Sequence, residues 1–300
     1  MRVAYFGTSD FAAAVLGRLA ASEHRPALVV APPDRRRGRG RRLSPTAVAS
    51  AADGLGIETL KTSASEQPEA LARIRAAEPE LGVVCAFGQL LREPVLSELE
   101  LLNVHPSLLP RWRGAAPIER AIMAGDELTG VSIMRVTEGL DSGPVALRAE
   151  APVAGDDFGG LSSRLAELGG DLLVDALGLR ARDELELLDQ DDSLATYAEK
   201  IDRSERRLDP TRPATELERT VRALTPHIGA YLELEGGEPL GVLQSVAEPG
   251  ELIAGTVETG DGLRLGCGEG VLRLLRVRPA AGRAMQVSDY LRGHPAPRLA

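Results

Sequence analysis

Leu81-Gly82-Val83-Val84-Cys85-Ala86 and, further along, Leu101-Leu102-Asn103-Val104-His105-Pro106-Ser107-Leu108-Leu109-Pro110 decide the fold class. Each opens on a run that is apolar on both faces, the pattern of a strand covered above and below in a parallel sheet. Working outward, Arg2–Phe6 and Leu28–Ala31 read as further strands, closed by Gly7 and by Pro32-Pro33. Phe11, Val15 and Leu19 fall at helical spacing behind Asp10 as the expected N-cap. Thr46–Ala52, Leu71–Ala77, Ile118–Ala124 and a Leu161–Leu179 stripe complete the predicted helices, and Val131–Val136 and Val145–Ala149 two more strands. Strands alternating with helices predict an α/β domain with a parallel sheet, spanning 1–187.

Residues 188–204 are polar and rich in Asp and read as a linker. From 205 to 300 the pattern changes. After a short helix at Thr215–Ala223 come Ala230–Leu234, Gly241–Ser245, Ile253–Glu258, Leu263–Gly266 and Val271–Val277, short β segments broken by glycine. Strands of that length and spacing predict a small barrel or sandwich.

Composition removes several classes. The 300 residues carry 35 Lys+Arg against 44 Asp+Glu, a net charge of −9, so the surface is not basic throughout. Hydrophobic content of 43% and charged content of 26% are those of a globular chain. Aromatics are 3%, which leaves the core to Leu, Val and Ala. No apolar run approaches the ~18 residues of a membrane span, and Gly7-Thr8-Ser9-Asp10 interrupts the first apolar stretch before it could act as a secretion signal. Two cysteines make neither a disulfide framework nor a metal cluster. A cytoplasmic protein with no metal is the expectation.

The residues that could carry chemistry lie at strand ends. Asn103 and His105 share a face of their strand and emerge at its C-terminal end, the edge where open α/β sheets bind ligands. A neutral donor beside an imidazole suits a carbonyl oxygen that gains charge while a nearby nitrogen exchanges a proton. Taken in isolation, an Asn-x-His is first of all a turn cap beside a satisfied core histidine. Asp141, in the turn Glu138-Gly139-Leu140-Asp141-Ser142-Gly143-Pro144, is either an Asx-turn residue or a carboxylate within reach of a histidine. Arg35, Arg36, Arg37, Arg39, Arg41 and Arg42 crowd one segment of a chain whose only lysines are Lys61 and Lys200. Charges so dense predict an exposed, mobile loop, and their chemistry predicts phosphate as a partner. No glycine-rich dinucleotide fingerprint follows the first strand, which disfavours a dehydrogenase. A non-catalytic RNA-binding protein would explain the arginines and leave Asn103, His105 and Asp141 without a purpose.

Asn103-Val104-His105-Pro106-Ser107-Leu108-Leu109-Pro110-Arg111-Trp112-Arg113-Gly114 followed by Thr137-Glu138-Gly139-Leu140-Asp141-Ser142-Gly143-Pro144 resembles the folate-dependent formyltransferases. Gly7–Phe11, Pro33-Asp34 before the arginines, Gly255-Thr256-Val257 and Ser288–Gly293 extend the resemblance over the whole chain, toward the members that act on charged tRNA. The resemblance implies a Rossmann-like domain joined to an OB-like barrel that contacts tRNA. It implies 10-formyltetrahydrofolate as donor, methionyl initiator tRNA as acceptor, and a monomer. It makes Asn103, His105 and Asp141 catalytic, places Ser107, Leu108, Leu109 and Pro110 along the folate, and gives Arg35–Arg42 to the tRNA. The alternative acceptor is a small amine, glycinamide ribonucleotide or a nucleotide amino-sugar.

Overall fold

A computed structural model describes residues 1–37, 42–260 and 262–300, with the side chain of Arg37 left aside. The chain forms two compact units, and each is assembled from separated segments. The first takes Met1–Gly114, Leu128–Pro152 and Ser162–Tyr197; the second takes Ala115–Glu127, Val153–Leu161 and Ala198–Ala300.

The first unit contains strands β1 (Val3–Gly7), β2 (Pro26–Ala31), β3 (Arg35–Arg37), β4 (Arg42–Ser44), β5 (Thr59–Lys61), β6 (Leu81–Cys85) and β7 (Leu101–His105). Later come β8 (Arg113–Gly114), β9 (Leu128–Arg135) and β10 (Val145–Pro152). Its seven-stranded sheet runs β10-β9-β7-β6-β1-β2-β5. From β7 to β5 the neighbours are parallel, as the apolar runs require: Val3, Ala4, Tyr5, Phe6, Leu81, Val83 and Leu102 are fully buried. The last two strands depart from the expected parallel order. β9 runs antiparallel to β7, and β10 runs antiparallel to β9 because residues 136–144 are too few for the crossover that parallel neighbours need.

Helix α1 (Asp10–Ala20) buries Ala12, Val15, Leu16, Leu19 and Ala20, one face of a helix. Its N-cap is Ser9, not Asp10. Ser9 is extended and its hydroxyl accepts from the Ala12 amide at 3.2 Å, while Asp10 sits in the first turn where a carboxylate favours the helix dipole. Thr46 caps α2 (Ala47–Gly54) in the same way. The helices α3 (Pro68–Ala76) and α4 (Val95–Glu98) follow. The Cys85 thiol is fully buried, and burial pushes its pKa up to about 12.

After α5 (Pro117–Ala124) comes the long helix α6 (Phe158–Ala181). At Gly169 it approaches the sheet so closely that a Cβ would lie 3.0 Å from Val104 and 3.2 Å from Val131, so the helix packs directly on β7 and β9.

The second unit is a curled antiparallel sheet. Its strands are β12 (Ala230–Glu233), β13 (Pro239–Glu248), β14 (Val257–Glu258), β15 (Leu263–Gly266), β16 (Val271–Arg278) and β17 (Met285–Gln286); β11 (Tyr197–Ala198) precedes them in the chain. The order is β12-β13-β16-β15-β14, with β17 on β16. Register shifts on either side of Gln244 bend β13 in the manner of bulges. Helix α7 (Ala214–Leu224) lays Leu217, Val221 and Leu224 on Leu232, Leu240, Val242, Leu272 and Leu274. Val287 and Tyr290 of α8 (Val287–Gly293) join the same core. Leu and Val dominate it, as 3% aromatics dictate. The strand expected from Ile253 begins only at Val257, and Ile253 is 79% exposed.

Candidate active site

Parallel strands end together, and their C-terminal ends form a rim on which the first unit's polar side chains collect. Gly7 of β1 pairs with Cys85 of β6, and Val84 with Asn103 of β7. Asn103 and His105 therefore leave the sheet on the same face, opposite Met134 and Ser132 of β9. Just past the end of the neighbouring strand β6, Ala86 and Gly88 are exposed and left-handed, with φ of 41° and 69°.

His105 is buried, and both its nitrogens are accounted for. Nε2 lies 2.9 Å from the Trp112 carbonyl, which can only accept, so the Nε2 proton is fixed there. Nδ1 is left facing the Asp141 carboxylate, 3.7 Å from Oδ2. Oδ2 also accepts from the Gly114 amide at 2.9 Å, and Oδ1 from Asn103 Nδ2 at 3.4 Å. The amide, the imidazole and the carboxylate thus converge although the turn bearing Asp141 lies 38 residues beyond Asn103.

Asp141 holds a left-handed backbone, φ 46°, which a residue with a Cβ adopts at a cost of about 1–2 kcal/mol. Close by, Gly143 is pressed on the Arg135 carbonyl oxygen, where a Cβ would collide with it. Two sets of contacts outside the sequence motifs hold this turn. Gln190 donates from Nε2 to the carbonyls of Asp141 at 2.8 Å and Gly143 at 2.7 Å. Leu188 exchanges backbone hydrogen bonds with Val145, 2.8 and 3.0 Å. Both residues belong to the stretch read as a linker. No local pattern in the sequence marks them, since the turn's partners are main-chain groups far away in the chain.

The segment Ser107–Pro110 divides in two. Ser107 is fully buried; its hydroxyl donates to the Arg111 carbonyl at 2.6 Å, and its own carbonyl accepts from Ser132 Oγ at 2.7 Å. Ser132 in turn accepts from the Leu109 amide at 3.1 Å. Leu109 is buried against Met134 and Val145. Ser107 and Leu109 therefore shape the segment from within and do not offer side chains to a ligand, whereas Leu108 and Pro110 keep exposed surface.

The two ends of the arginine segment form short strands, and its exposure is as its charge predicts at Arg35, Arg36 and Arg42. Its described residues pair antiparallel: Arg35 with Ser44, Arg36 with Leu43, Arg37 with Arg42. Backbone pairing satisfies the ladder while the side chains of Arg35, Arg36 and Arg42 stay exposed. Arg39 and Arg41 lie outside the described residues. Just before the segment, Asp34 meets Lys61 of β5 at 2.7 Å.

Among the described residues no helix is long and apolar enough to cross a membrane.

Comparison with known proteins gives a consistent picture. A formyl transferase family model matches residues 1–177, and the formyl transferase C-terminal domain matches 200–295. A methionyl-tRNA formyltransferase of Halorhodospira halophila is 46% identical over 301 residues, covering 97% of this chain and 96% of that protein. One from Ruegeria pomeroyi is 42% identical, covering 99% of each. Among solved structures, HypX from Aquifex aeolicus in complex with tetrahydrofolic acid shares the fold at a TM-score of 0.68 and 16% identity. That match covers 97% of this chain and 47% of the longer one. With both of its parts matched and relatives of this identity along its whole length, the chain belongs to the formyl transferase family.

Proposed function

We propose that this protein transfers the formyl group of 10-formyltetrahydrofolate to the free amino group of methionyl initiator tRNA. The observation that carries the reading is the meeting of Asn103, His105 and Asp141 at one strand-end rim. The naming of the curated relatives supports charged tRNA over a small amine as acceptor.

The rim fits a folate. It offers the exposed residues Ala86 and Gly88 and the neutral amide of Asn103, a setting suited to an uncharged heterocycle that takes hydrogen bonds. Arg113, the buried basic side chain of this segment, is already engaged by Gln190 and Asp192. Leu108 and Pro110 supply apolar surface beside the rim. The folate brings an activated formyl group on a nitrogen that leaves once it is protonated.

The side chains then have separate tasks. Asn103 donates to the formyl oxygen as the incoming amine adds to the formyl carbon and negative charge gathers there. His105 exchanges the proton at Nδ1, since Nε2 is held by Trp112. It takes a proton from the attacking nitrogen and returns one to the leaving nitrogen, so none is gained or lost overall. Asp141 faces the imidazolium that exists between these two transfers and stabilises it. The arginine segment, exposed at Arg35, Arg36 and Arg42 and carrying phosphate-binding side chains, meets the backbone of the tRNA. The curled sheet of the second unit contributes further tRNA contact, and residues 1–187 carry the chemistry.

The test is an assay of formyl transfer from 10-formyltetrahydrofolate to purified methionyl initiator tRNA, with glycinamide ribonucleotide and a nucleotide amino-sugar as competing acceptors. Transfer to the tRNA is expected, with turnover reduced about 100–1000-fold in Asn103→Ala and in His105→Ala. Efficient transfer to a small amine and none to tRNA, or parent-like turnover in a folded His105→Ala, would overturn the reading.

A further inference from the structure

Asp141 is held by a closed circuit of hydrogen bonds in which one member, Gln190, touches neither Asn103 nor His105. The Gly114 amide donates to the Asp141 carboxylate at 2.9 Å. The Asp141 carbonyl accepts from Gln190 Nε2 at 2.8 Å, and the Gly143 carbonyl accepts the other hydrogen at 2.7 Å. Gln190 Oε1 accepts twice from Arg113, from Nε at 3.0 Å and from a terminal nitrogen at 2.9 Å. Arg113 precedes Gly114 in the chain, which closes the circuit.

This circuit admits one orientation of the amide. A guanidinium only donates and a carbonyl only accepts, so the oxygen of Gln190 must face Arg113 and its nitrogen must face the turn. Arg113 is itself buried, 3% exposed, and steadied by Asp192 at 2.7 Å. The turn needs such an anchor. Asp141 is left-handed without being glycine, a conformation the chain abandons unless its surroundings enforce it. Freed from Gln190, its main chain would relax and carry the carboxylate away from Nδ1.

We propose that Gln190 is a positioning residue for the transfer step: through the main chain of Asp141 and Gly143 it keeps the carboxylate facing His105. This rests on the role assigned to Asp141 under the proposed function, and the experiment separates the two. Gln190→Glu keeps an acceptor for Arg113 but loses both donors and sets a carboxylate oxygen against two carbonyls. Gln190→Met, of similar shape and without polar atoms, is the second variant and carries the same reading should the first fail to fold. Steady-state kinetics on methionyl-tRNA and 10-formyltetrahydrofolate are measured for both, for Asp141→Asn, and for the double variants.

The expected result is a fall in kcat on the order of 10–100-fold, with KM for both substrates close to the parent's. Each double variant should be no slower than Asp141→Asn alone, because Gln190 acts only through that carboxylate. Parent-like kcat in the Gln190 variants, or losses that multiply in the double variants, overturns the positioning role alone. Parent-like kcat in Asp141→Asn overturns the role of the carboxylate itself, and the positioning role with it.

Discussion

The carboxylate of Asp141 stops 3.7 Å from His105 Nδ1, facing the ring without a hydrogen bond to it. The separation is set from the other side, where Oδ2 accepts the Gly114 amide at 2.9 Å. With Nε2 engaged by the Trp112 carbonyl at 2.9 Å, the one ring atom free to exchange a proton is the atom nearest a negative charge. Asp141→Asn retains an acceptor for Gly114 and removes that charge. Turnover in formyl transfer should fall about 100-fold or more while the thermal midpoint stays near the parent's. Single-turnover kinetics with bound substrates checks that the loss lies in the transfer step.

Ser132 joins β9 to the segment that follows His105. Its hydroxyl donates to the Ser107 carbonyl at 2.7 Å and accepts the Leu109 amide at 3.1 Å, with no exposed surface. Ser132→Ala leaves one buried acceptor and one buried donor unpaired. A loss of about 1–3 kcal/mol in unfolding free energy is expected, read as a lower midpoint in urea with an unchanged slope.

Replacing Arg35, Arg36, Arg37, Arg39, Arg41 and Arg42 by Ser removes a concentrated positive charge from a protein of net charge −9. For every phosphate that is no longer neutralised, the dependence of log affinity on log salt should shrink by about 0.7–0.9. Binding of methionyl-tRNA titrated across salt concentrations should therefore give a shallower line and a weaker affinity, with binding of the folate unchanged.

Cys85 is fully buried, and its pKa is pushed up to about 12. In the unfolded chain a thiol ionises near about 8.5. The folded state therefore keeps a proton that the unfolded state releases, and the contribution to stability, complete below about 8.5, is lost as pH climbs from there toward 12. Two outcomes follow. Native protein at a pH of about 8, just under that thiol value, should resist a thiol-alkylating reagent at Cys85 until denaturant is added, as mass spectrometry of the digested protein would record. Stability should decline across the alkaline range, and more steeply than in Cys85→Ala.

Much of this is legible in the sequence because it is periodic or local. Apolar strands alternating with helical stripes point to the sheet of the first unit, and the two-residue spacing of Asn103 and His105 places both on one face. Other features are local but differ by a residue or by a competing force. Ser9 and Asp10 are both good caps, and only the extended backbone at Ser9 decides between them. Repulsion among the arginines points to exposure, and backbone pairing of Arg35 with Ser44 and Arg36 with Leu43 adds two short strands without bringing the charges inside. Ser107 lies in the motif that resembles the family's folate segment, but its hydroxyl is turned inward to the Arg111 carbonyl. Gln190 is illegible for a further reason. Toward the turn it meets main-chain carbonyls, which carry no residue identity, and its side-chain partner Arg113 lies 77 residues away, so nothing in its neighbours along the chain announces the contacts.

The distance between Asp141 and Gln190 along the chain, 49 residues, has a temporal meaning. During synthesis the turn is made well before the glutamine that steadies it has left the ribosome. A fragment ending at residue 177, where the first family match stops, would possess every side chain of the proposed chemistry and lack the one that arrests their geometry. On the proposed role of Gln190, the nascent chain should thus work only at the reduced rate of a Gln190 variant until the last segment of the first unit, which ends at Tyr197, has emerged and closed back on the turn.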